Sequence, residues 1–536
     1  MPVSPHSTPH ASLPLRLVLV LAAISALLVV LCLPNFAVGQ LAWIALVPLF
    51  WAVARAPNEQ AGFWAGFLFG TVFLAATCPW IYYTVHRYGE LPAAVAGLVF
   101  VLFLGLLALI FGLFGWLAAR VAEGAPLRVV LFPVLWVALE VLRAVAPFGG
   151  FPWNLLGYSQ LMHPTVLRLA PIVGVFGISF CIALSNALLT LVLLTLLGGR
   201  RDRTPWWIAG AGLSALLVLP WTLPALSSSA LTAPAWSAVL VQPDTSLDTE
   251  WTATSLSGLI RDMTRLSERA VTLHPQGEHL IVWPEQPAPL AFEQQPPTQA
   301  AVTALAAATH SYILLGETPT VPGDTSTEPR PLNAALLVGP DGRALGRYDK
   351  MHLVPFGEYV PLPSWLKQAG AVGKITRDVG DFVPGTALRT FRAAGQTFSS
   401  VICFESIFPA LARREVAMGA QWLVNISDDG WYGPSSAKEQ GLGMARMRAI
   451  ENDRWLLRDT NDGLTAVIAP DGMVTARLAP GVPGVLLAEF SPRNTRTFYS
   501  RHGDWLADTC AILSLILGLF LVGRALAATW VRRSRP

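Results

Sequence analysis

The sequence predicts a polytopic helical membrane bundle of about eight spans that carries a layered α/β domain outside the cytoplasm. Three observations predict it. The 536 residues are 53% hydrophobic and only 13% charged, too apolar for an ordinary soluble domain. Apolar stretches long enough to cross a ~30 Å hydrocarbon core recur through the first part of the chain and return near its end. Between them, short apolar runs alternate with helical patterns, as in a sheet covered by helices. The net charge of +3 is small, so nucleic acid is not an expected partner.

The spans begin near Leu13, Phe36, Gly62, Leu91, Leu127, Leu167 and Trp206, and a last one runs from about Leu506 to Trp530. The first is longer than a secretory signal core, and "VVLC" lacks the small residue a lipobox needs, so it reads as an uncleaved helix. Gly62, Gly66 and Gly70 recur every fourth residue, a spacing that lets helix backbones approach closely. Glu140 and Arg143, one helical turn apart in the fifth span, are expected to pair as a structural pin. The nineteen tryptophans suit a protein with two membrane interfaces.

Loop charges orient the bundle. With the N-terminus inside, the inward loops hold Arg55, Arg120, Arg128, Arg200, Arg201 and Arg203, and the tail holds Arg532, Arg533 and Arg535. The outward loops between spans hold only Arg87 and Arg168, a positive-inside bias. An odd number of spans then places the polar region outside the cytoplasm. The expected division is a membrane domain over 1–226, a polar domain over 227–501, and a final span with a cytoplasmic tail over 502–536.

"LPALSSSALTAPAWS", residues 223 to 237, reads as the linker into the polar domain. Beyond it "SAVLVQ", "HLIVWPE", "SYILLGE", "NAALLVG", "SSVICFE", "QWLVNIS" and "TAVIAP" read as buried strands. "WTATSLSGLIRDMTRLSERAVTL", "TQAAVTALAAATH", "PALARREVAMG" and "KEQGLGMARMRAIENDR" read as helices. The segment "LPSWLKQAGAVGKI", residues 362 to 375, reads either as a lid resting on lipid or as an ordinary packed loop.

The chain has five cysteines, and only Cys403 lies outside the long apolar segments. A disulfide-permissive compartment with a single thiol leaves that thiol buried and inert or kept for reactivity. Alone, the inert reading is the better one. Three strand ends, however, carry reactive groups: Glu285 after "LIVWP", Lys350 in "GRYDKMHLVPFGEYVP" with Glu358 eight residues on, and Cys403 with Glu405 two residues later. A carboxylate can take the thiol proton as sulfur attacks a carbonyl, and an ammonium can stabilise the resulting oxyanion. Glutamate, lysine and cysteine together make an acyl-transfer set, and Glu358 is the natural group to hold the lysine or the base.

The order Glu, Lys, Cys with "VWPE", "DKMHLVPFGEYVP" and "ICFE" resembles the nitrilase (carbon–nitrogen hydrolase) superfamily. Joined to the spans, "FPWNLLGYSQ", "ARMRAIEN" and "RDTNDGLTAVIAPDG", it resembles the apolipoprotein N-acyltransferase family of the bacterial inner membrane. The resemblance implies an αββα sandwich on the periplasmic side, with Glu285 as general base, Lys350 as oxyanion stabiliser and Cys403 as nucleophile. It implies supporting roles for Glu358 and Glu405, and places Trp251, Asn333 and Trp431 near the acyl or phospholipid surface. The implied reaction moves an acyl chain from a phospholipid, through a cysteine thioester, to the α-amine of an S-diacylglyceryl apolipoprotein. The implied enzyme needs no metal or organic cofactor and is a monomer. The chain departs from the family pattern in reading "CFE" for "CYE", "SDDGWYG" for "SNDAWFG" and "VQPDTS" for "VQGNI".

Three rivals remain at this point. A membrane-tethered amidase or nitrilase acting on a small amide would share the thioester step, though one span would anchor it. A thiol–imidazole pair of Cys403 with His352 runs in the reverse of the papain order. A transporter would place ionisable residues inside its spans, where they are nearly absent here.

Overall fold

The computed structural model describes residues 12–34, 36–122, 126–198, 203–227, 230, 236–322, 329–361 and 381–533. The segment 362–375 lies outside the described residues.

Four helices are long and apolar enough to cross a membrane: Glu59–Thr77, Ala93–Ala122, Ala170–Leu197 and Trp505–Arg524. The other expected spans appear as Leu15–Leu31, Val47–Ala54, Phe132–Val145 and Thr204–Thr222. Large apolar side chains such as Leu98, Val101, Leu102, Leu515 and Leu519 face outward, the pattern of helices bathed in lipid. The glycine spacing acts as expected. A Cβ on Gly66 would run into the Phe111 carbonyl, and Gly62 and Gly115 are held equally close, so Glu59–Thr77 and Ala93–Ala122 touch backbone to backbone.

The expected Glu140–Arg143 pin does not form. Both side chains are buried, but no ion pair joins them among the described residues. The Glu140 carboxylate instead accepts from Trp136 Nε1 at 3.2 Å and from the Leu156 N–H at 2.8 Å. It therefore ties down the "FPWNLLGYSQ" loop, whose backbone donors would otherwise be unpaired inside the bundle.

In the polar domain the linker ends earlier than expected, because Trp236 and Ser237 already belong to the first strand. One sheet has the order β14-β1-β2-β3-β6-β7, the other β13-β12-β11-β10-β9-β8, and β4-β5 is a separate hairpin. Their ranges are β1 Trp236–Gln242, β2 Glu278–Trp283, β3 Tyr312–Glu317, β4 Thr320–Val321, β5 Arg330–Pro331, β6 Ala334–Val338 and β7 Ala344–Asp349. The rest are β8 Thr390–Ala393, β9 Gln396–Ile402, β10 Leu423–Ser427, β11 Leu456–Thr460, β12 Ala466–Ile468, β13 Val474–Arg477 and β14 Gly484–Phe490. β1, β2 and β3 run parallel, as do β9, β10 and β11.

Strand alternation builds the layers. In β1, Ala238 and Leu240 enter the core between the sheets, while Val239 and Val241 meet helices Ala253–Leu273 and Pro296–Thr309. On the far side Leu423 and Leu456 pack with Ala412 and Val416 of Pro409–Ala417 and with Leu442 and Ala445 of Ala437–Asn452. The result is helix, sheet, sheet, helix. Trp236, Phe398, Trp422 and Phe490 interlock between the sheets, with Trp236 and Trp422 ring centroids 5.2 Å apart.

Helix Ala437–Asn452 also joins this sandwich to the bundle. Trp153 Nε1 donates to Gln440 at 2.6 Å, Arg446 donates to the Leu161 carbonyl at 3.1 Å, and the Arg448 guanidinium lies over the Tyr158 ring. At its end Glu451 meets a break in helix Ala170–Leu197, where Gly174 takes φ 64° and ψ −176°. The break frees the Val175 N–H, and Glu451 accepts it at 2.8 Å while Arg448 holds the same carboxylate at 3.0 Å. An acid at a helix N-terminus is favoured by the axial dipole as well as by the hydrogen bond. "ARMRAIEN" and "FPWNLLGYSQ" are thus two halves of one joint.

Candidate active site

The three expected reactive residues each follow the last residue of a strand or one residue beyond it. Glu285 comes two residues after β2, Lys350 directly after β7, and Cys403 directly after β9. Asn333 precedes β6, which runs antiparallel to β3 and β7, so it reaches the same sheet edge. Open α/β sheets place ligands at such an edge.

Lys350 is buried, at 1% exposure, and its ammonium lies 3.0 Å from Glu285 Oε1 and 2.8 Å from Glu358 Oε1. Asn333 Nδ2 donates to the same two oxygens, at 2.7 Å each. This corrects the sequence expectation for Asn333: it bridges two carboxylates inside the site and does not line a substrate surface. The second oxygen of Glu285 accepts the Asp428 N–H at 2.8 Å, and that of Glu358 accepts the Val354 N–H at 2.7 Å. Burial alone would lower the Lys350 pKa, but Glu285 and Glu358 outweigh it and hold the ammonium well above the ordinary lysine range. An ammonium has three N–H donors, so two fixed acceptors leave one for a ligand.

Cys403 adopts φ +51°, in the left-handed region that a side-chain-bearing residue seldom enters. Glu405 is what holds this turn. Its carboxylate accepts the Ile402 N–H at 2.9 Å, the Met351 N–H at 2.8 Å, the His352 N–H at 3.1 Å and the Tyr348 hydroxyl at 2.8 Å. One acid thereby locks the nucleophile turn to the segment that carries Lys350. Burial pushes the Cys403 thiol pKa up, the negative charge of Glu285 adds to this, and Lys350 with the Ser427 hydroxyl opposes it. The resting group is a neutral thiol that needs a base in order to attack.

A second group of side chains faces the sulfur from β10 and β11. Ser427 Oγ donates to Asp429 at 2.8 Å, and Arg458 grips Asp429 with a bidentate pair at 2.7 and 2.9 Å. All three are buried. Sequence reasoning missed them, although Ser427 and Asp429 lie in the quoted run "SDDGWYG". Their signal was a cluster of acids directly after a buried strand.

The bundle completes the wall. Phe151 stacks on Phe404 with centroids 6.4 Å apart, and Trp80 and Trp153 meet the Tyr432 ring edge-on at 5.0 and 5.8 Å. A groove of about 390 Å³ opens beside this wall, floored by Phe148, Met351, Leu353, Phe404 and Phe408, with the Arg330–Asp381 pair among its lining residues. Trp431 is 43% exposed and lies edge-on to Tyr88. Trp251 packs against the core beneath the first sheet and is not brought to Glu285, Lys350 or Cys403 in any described contact. His352 stacks on Phe408 at 4.5 Å, with Glu405 as its nearest acid, which leaves the thiol–imidazole pair without support.

A nucleophile, a buried acid–ammonium pair and an apolar groove at a membrane joint together suit acyl transfer from a lipid. The family model described as the apolipoprotein N-acyltransferase N-terminal domain matches residues 25–188, and the carbon–nitrogen hydrolase model matches residues 238–499. An apolipoprotein N-acyltransferase of Geobacter metallireducens is 34% identical over 494 residues, covering 91% of this chain and 92% of that one. The one from Azotobacter vinelandii is 35% identical over 527 residues, 96% of each chain, and the one from Pseudomonas putida is 34% identical over 511 residues, 93% and 95%. A solved nitrilase-superfamily structure, Nit3 of Saccharomyces cerevisiae, is 19% identical, covering 52% of this chain and 96% of that one, at a TM-score of 0.37, too low to carry an argument.

Proposed function

The chain belongs to the apolipoprotein N-acyltransferase family, and from that premise we propose that it N-acylates lipoproteins through an acyl thioester on Cys403. The enzyme takes a fatty acyl chain from a membrane phospholipid and gives it to the α-amine of an S-diacylglyceryl cysteine. In the first half, Cys403 Sγ attacks the ester carbonyl, the thiol proton passes to Glu285, and the carbonyl electron pair moves onto oxygen beside Lys350. The C–O bond then breaks, Glu285 returns the proton to the leaving alkoxide, and a lysophospholipid departs. In the second half the lipoprotein amine attacks the thioester, its proton goes to Glu285, and the C–S bond breaks to regenerate the thiol. Glu358 and Asn333 hold Lys350 and Glu285 in register, and Glu405 holds the Cys403 turn.

One observation supports this most: the buried Glu285–Lys350–Glu358 pair stands beside a thiol presented at φ +51°, against aromatic side chains supplied by an apolar bundle. Both substrates are lipid-anchored, each buried methylene being worth about 0.8 kcal/mol, so the chemistry has to come to the membrane surface. The enzyme sits in the bacterial inner membrane as a monomer with about eight spans. Its catalytic domain, residues 227–501, faces the periplasm between a membrane domain over 1–226 and a last span with a tail over 502–536.

The test is to incubate the purified membrane enzyme with phospholipid and look for an acyl mass on Cys403, then add a diacylated lipopeptide. An acyl-cysteine that disappears into the lipopeptide is expected. No acyl group on Cys403 would refute the nucleophile, and a thioester that never transfers would favour the amidase reading.

A further inference from the structure

Tyr432 lies in the loop after β10, the strand that pairs with β9 and so runs beside the Cys403 turn. The bundle fixes this loop on several sides. Thr84 donates to the Trp431 carbonyl at 2.6 Å, the Tyr88 hydroxyl donates to the Gly430 carbonyl at 3.2 Å, and Gly433 is packed against the Tyr83 ring. The Tyr432 ring is wedged against Trp80 and Trp153 and is only 8% exposed. Its hydroxyl nevertheless makes no hydrogen bond among the described residues. A buried hydroxyl left unpaired costs roughly 1–3 kcal/mol, so such groups generally have a partner to meet.

That partner is on the reaction side of the ring. Trp153 touches Phe151, and Phe151 stacks on Phe404, the residue after the nucleophile, so Tyr432 and Phe404 are opposite ends of one aromatic wall around Cys403. Packing with no room to turn the ring leaves the hydroxyl committed to one direction. Lys350 cannot fill the whole need for oxyanion stabilisation either, since Glu285 and Glu358 occupy two of its three donors.

Building on the thioester reading, we propose that Tyr432 is a catalytic residue whose phenolic O–H donates a hydrogen bond to the carbonyl oxygen of the acyl group at Cys403. When sulfur or amine attacks, the carbonyl π pair moves onto that oxygen. Lys350 and Tyr432 share the charge through hydrogen bonds without giving up a proton. The pair returns to carbon as the C–O or C–S bond breaks, so the same donor serves both halves. Burial and the nearby negative charges of Cys403 and Asp429 keep the phenol neutral, and it stays a donor throughout the reaction. Because Trp80 and Trp153 aim the ring, this donor exists only while bundle and sandwich are docked.

The experiment compares full-length wild type with Tyr432→Phe, which removes one oxygen and keeps the ring. Acylation of Cys403 is followed by mass spectrometry at saturating phosphatidylethanolamine in mixed micelles, and alkylation of Cys403 by iodoacetamide is measured beside it. Alkylation develops no oxyanion, so a purely structural role would move both rates together. The acylation rate constant is expected to fall roughly a hundredfold, in line with the loss of one oxyanion donor, with alkylation unchanged. An acylation rate within threefold of wild type, or an equal loss in both reactions, overturns the proposal. Failure of the wild type to form any thioester would instead strike at the nucleophile reading itself.

Discussion

Glu358→Gln keeps the shape of the side chain and removes its charge, which makes it the cleanest probe of how Lys350 is held. Glu358 accepts three hydrogen bonds: Lys350 at 2.8 Å and Asn333 at 2.7 Å on one oxygen, and the Val354 N–H at 2.7 Å on the other. A glutamine can satisfy the first oxygen's two donors, but its NH₂ then faces the Val354 N–H, donor against donor. An unpaired buried donor costs about 1–3 kcal/mol, and a hydrogen bond to a charged group is worth about 1.5–3 kcal/mol against about 1 for a neutral one. The sum is about 2–4 kcal/mol, which falls on the positions of Lys350 and of the 354–358 turn. Realised in the transition state, that slows acylation roughly 30- to 1,000-fold. The assay is the rate of acyl-Cys403 formation after mixing with phospholipid, read by quenched mass spectrometry. A rate within threefold of wild type would show that Lys350 does not depend on Glu358 for its place, and the argument from geometry would fail.

Other consequences can be checked separately. The thiol of Cys403 is raised by burial and by Glu285. Its alkylation by iodoacetamide should therefore lag a free thiol of pKa ~8.5 and keep climbing through about pH 9 to 10; a plateau below about pH 8 would mean a stabilised thiolate instead. Gly66→Leu forces a side chain into the Phe111 carbonyl, so the detergent-solubilised protein should melt several degrees lower from an overpacking cost of about 1–3 kcal/mol or more. An unchanged melting curve would deny the close helix contact. A reporter inserted at Gly277 should be active only in its extracytoplasmic form, and cytoplasmic activity would reverse the orientation drawn from the loop arginines.

The joint between the two domains bears on how transfer is kept ahead of hydrolysis. A thioester is open to water as well as to an amine, and the aromatic wall of Phe404, Phe151, Trp153, Trp80 and Tyr432 removes much of the room for water beside the sulfur. Three of these five side chains come from the bundle. The sandwich alone would leave that flank open, and this gives the bundle a chemical role in addition to anchorage.

Much of this was legible in the chain itself. Apolar length fixed the long spans, and the period of the runs "SAVLVQ", "HLIVWPE" and "SSVICFE" fixed buried strands, because burial on both faces demands a continuous apolar run. The strand ends then pointed to Glu285, Lys350 and Cys403, since reactive groups directly after buried strands have few structural reasons to be there. β7, β11 and β14 escaped notice because they carry polar residues such as Arg347, Arg458 and Glu489, which are tolerated only where a partner such as Asp429 waits. Pairings over long sequence separations were beyond reach. Nothing local says that Asn333 bridges Glu285 to Glu358, that Glu140 seeks Leu156 in place of Arg143, or that Glu451 caps the break at Gly174. Residue type and spacing determine which groups are available and which segments must be buried; only the packed fold decides which of them meet, because a hydrogen bond is set by ångströms that one-dimensional order does not contain.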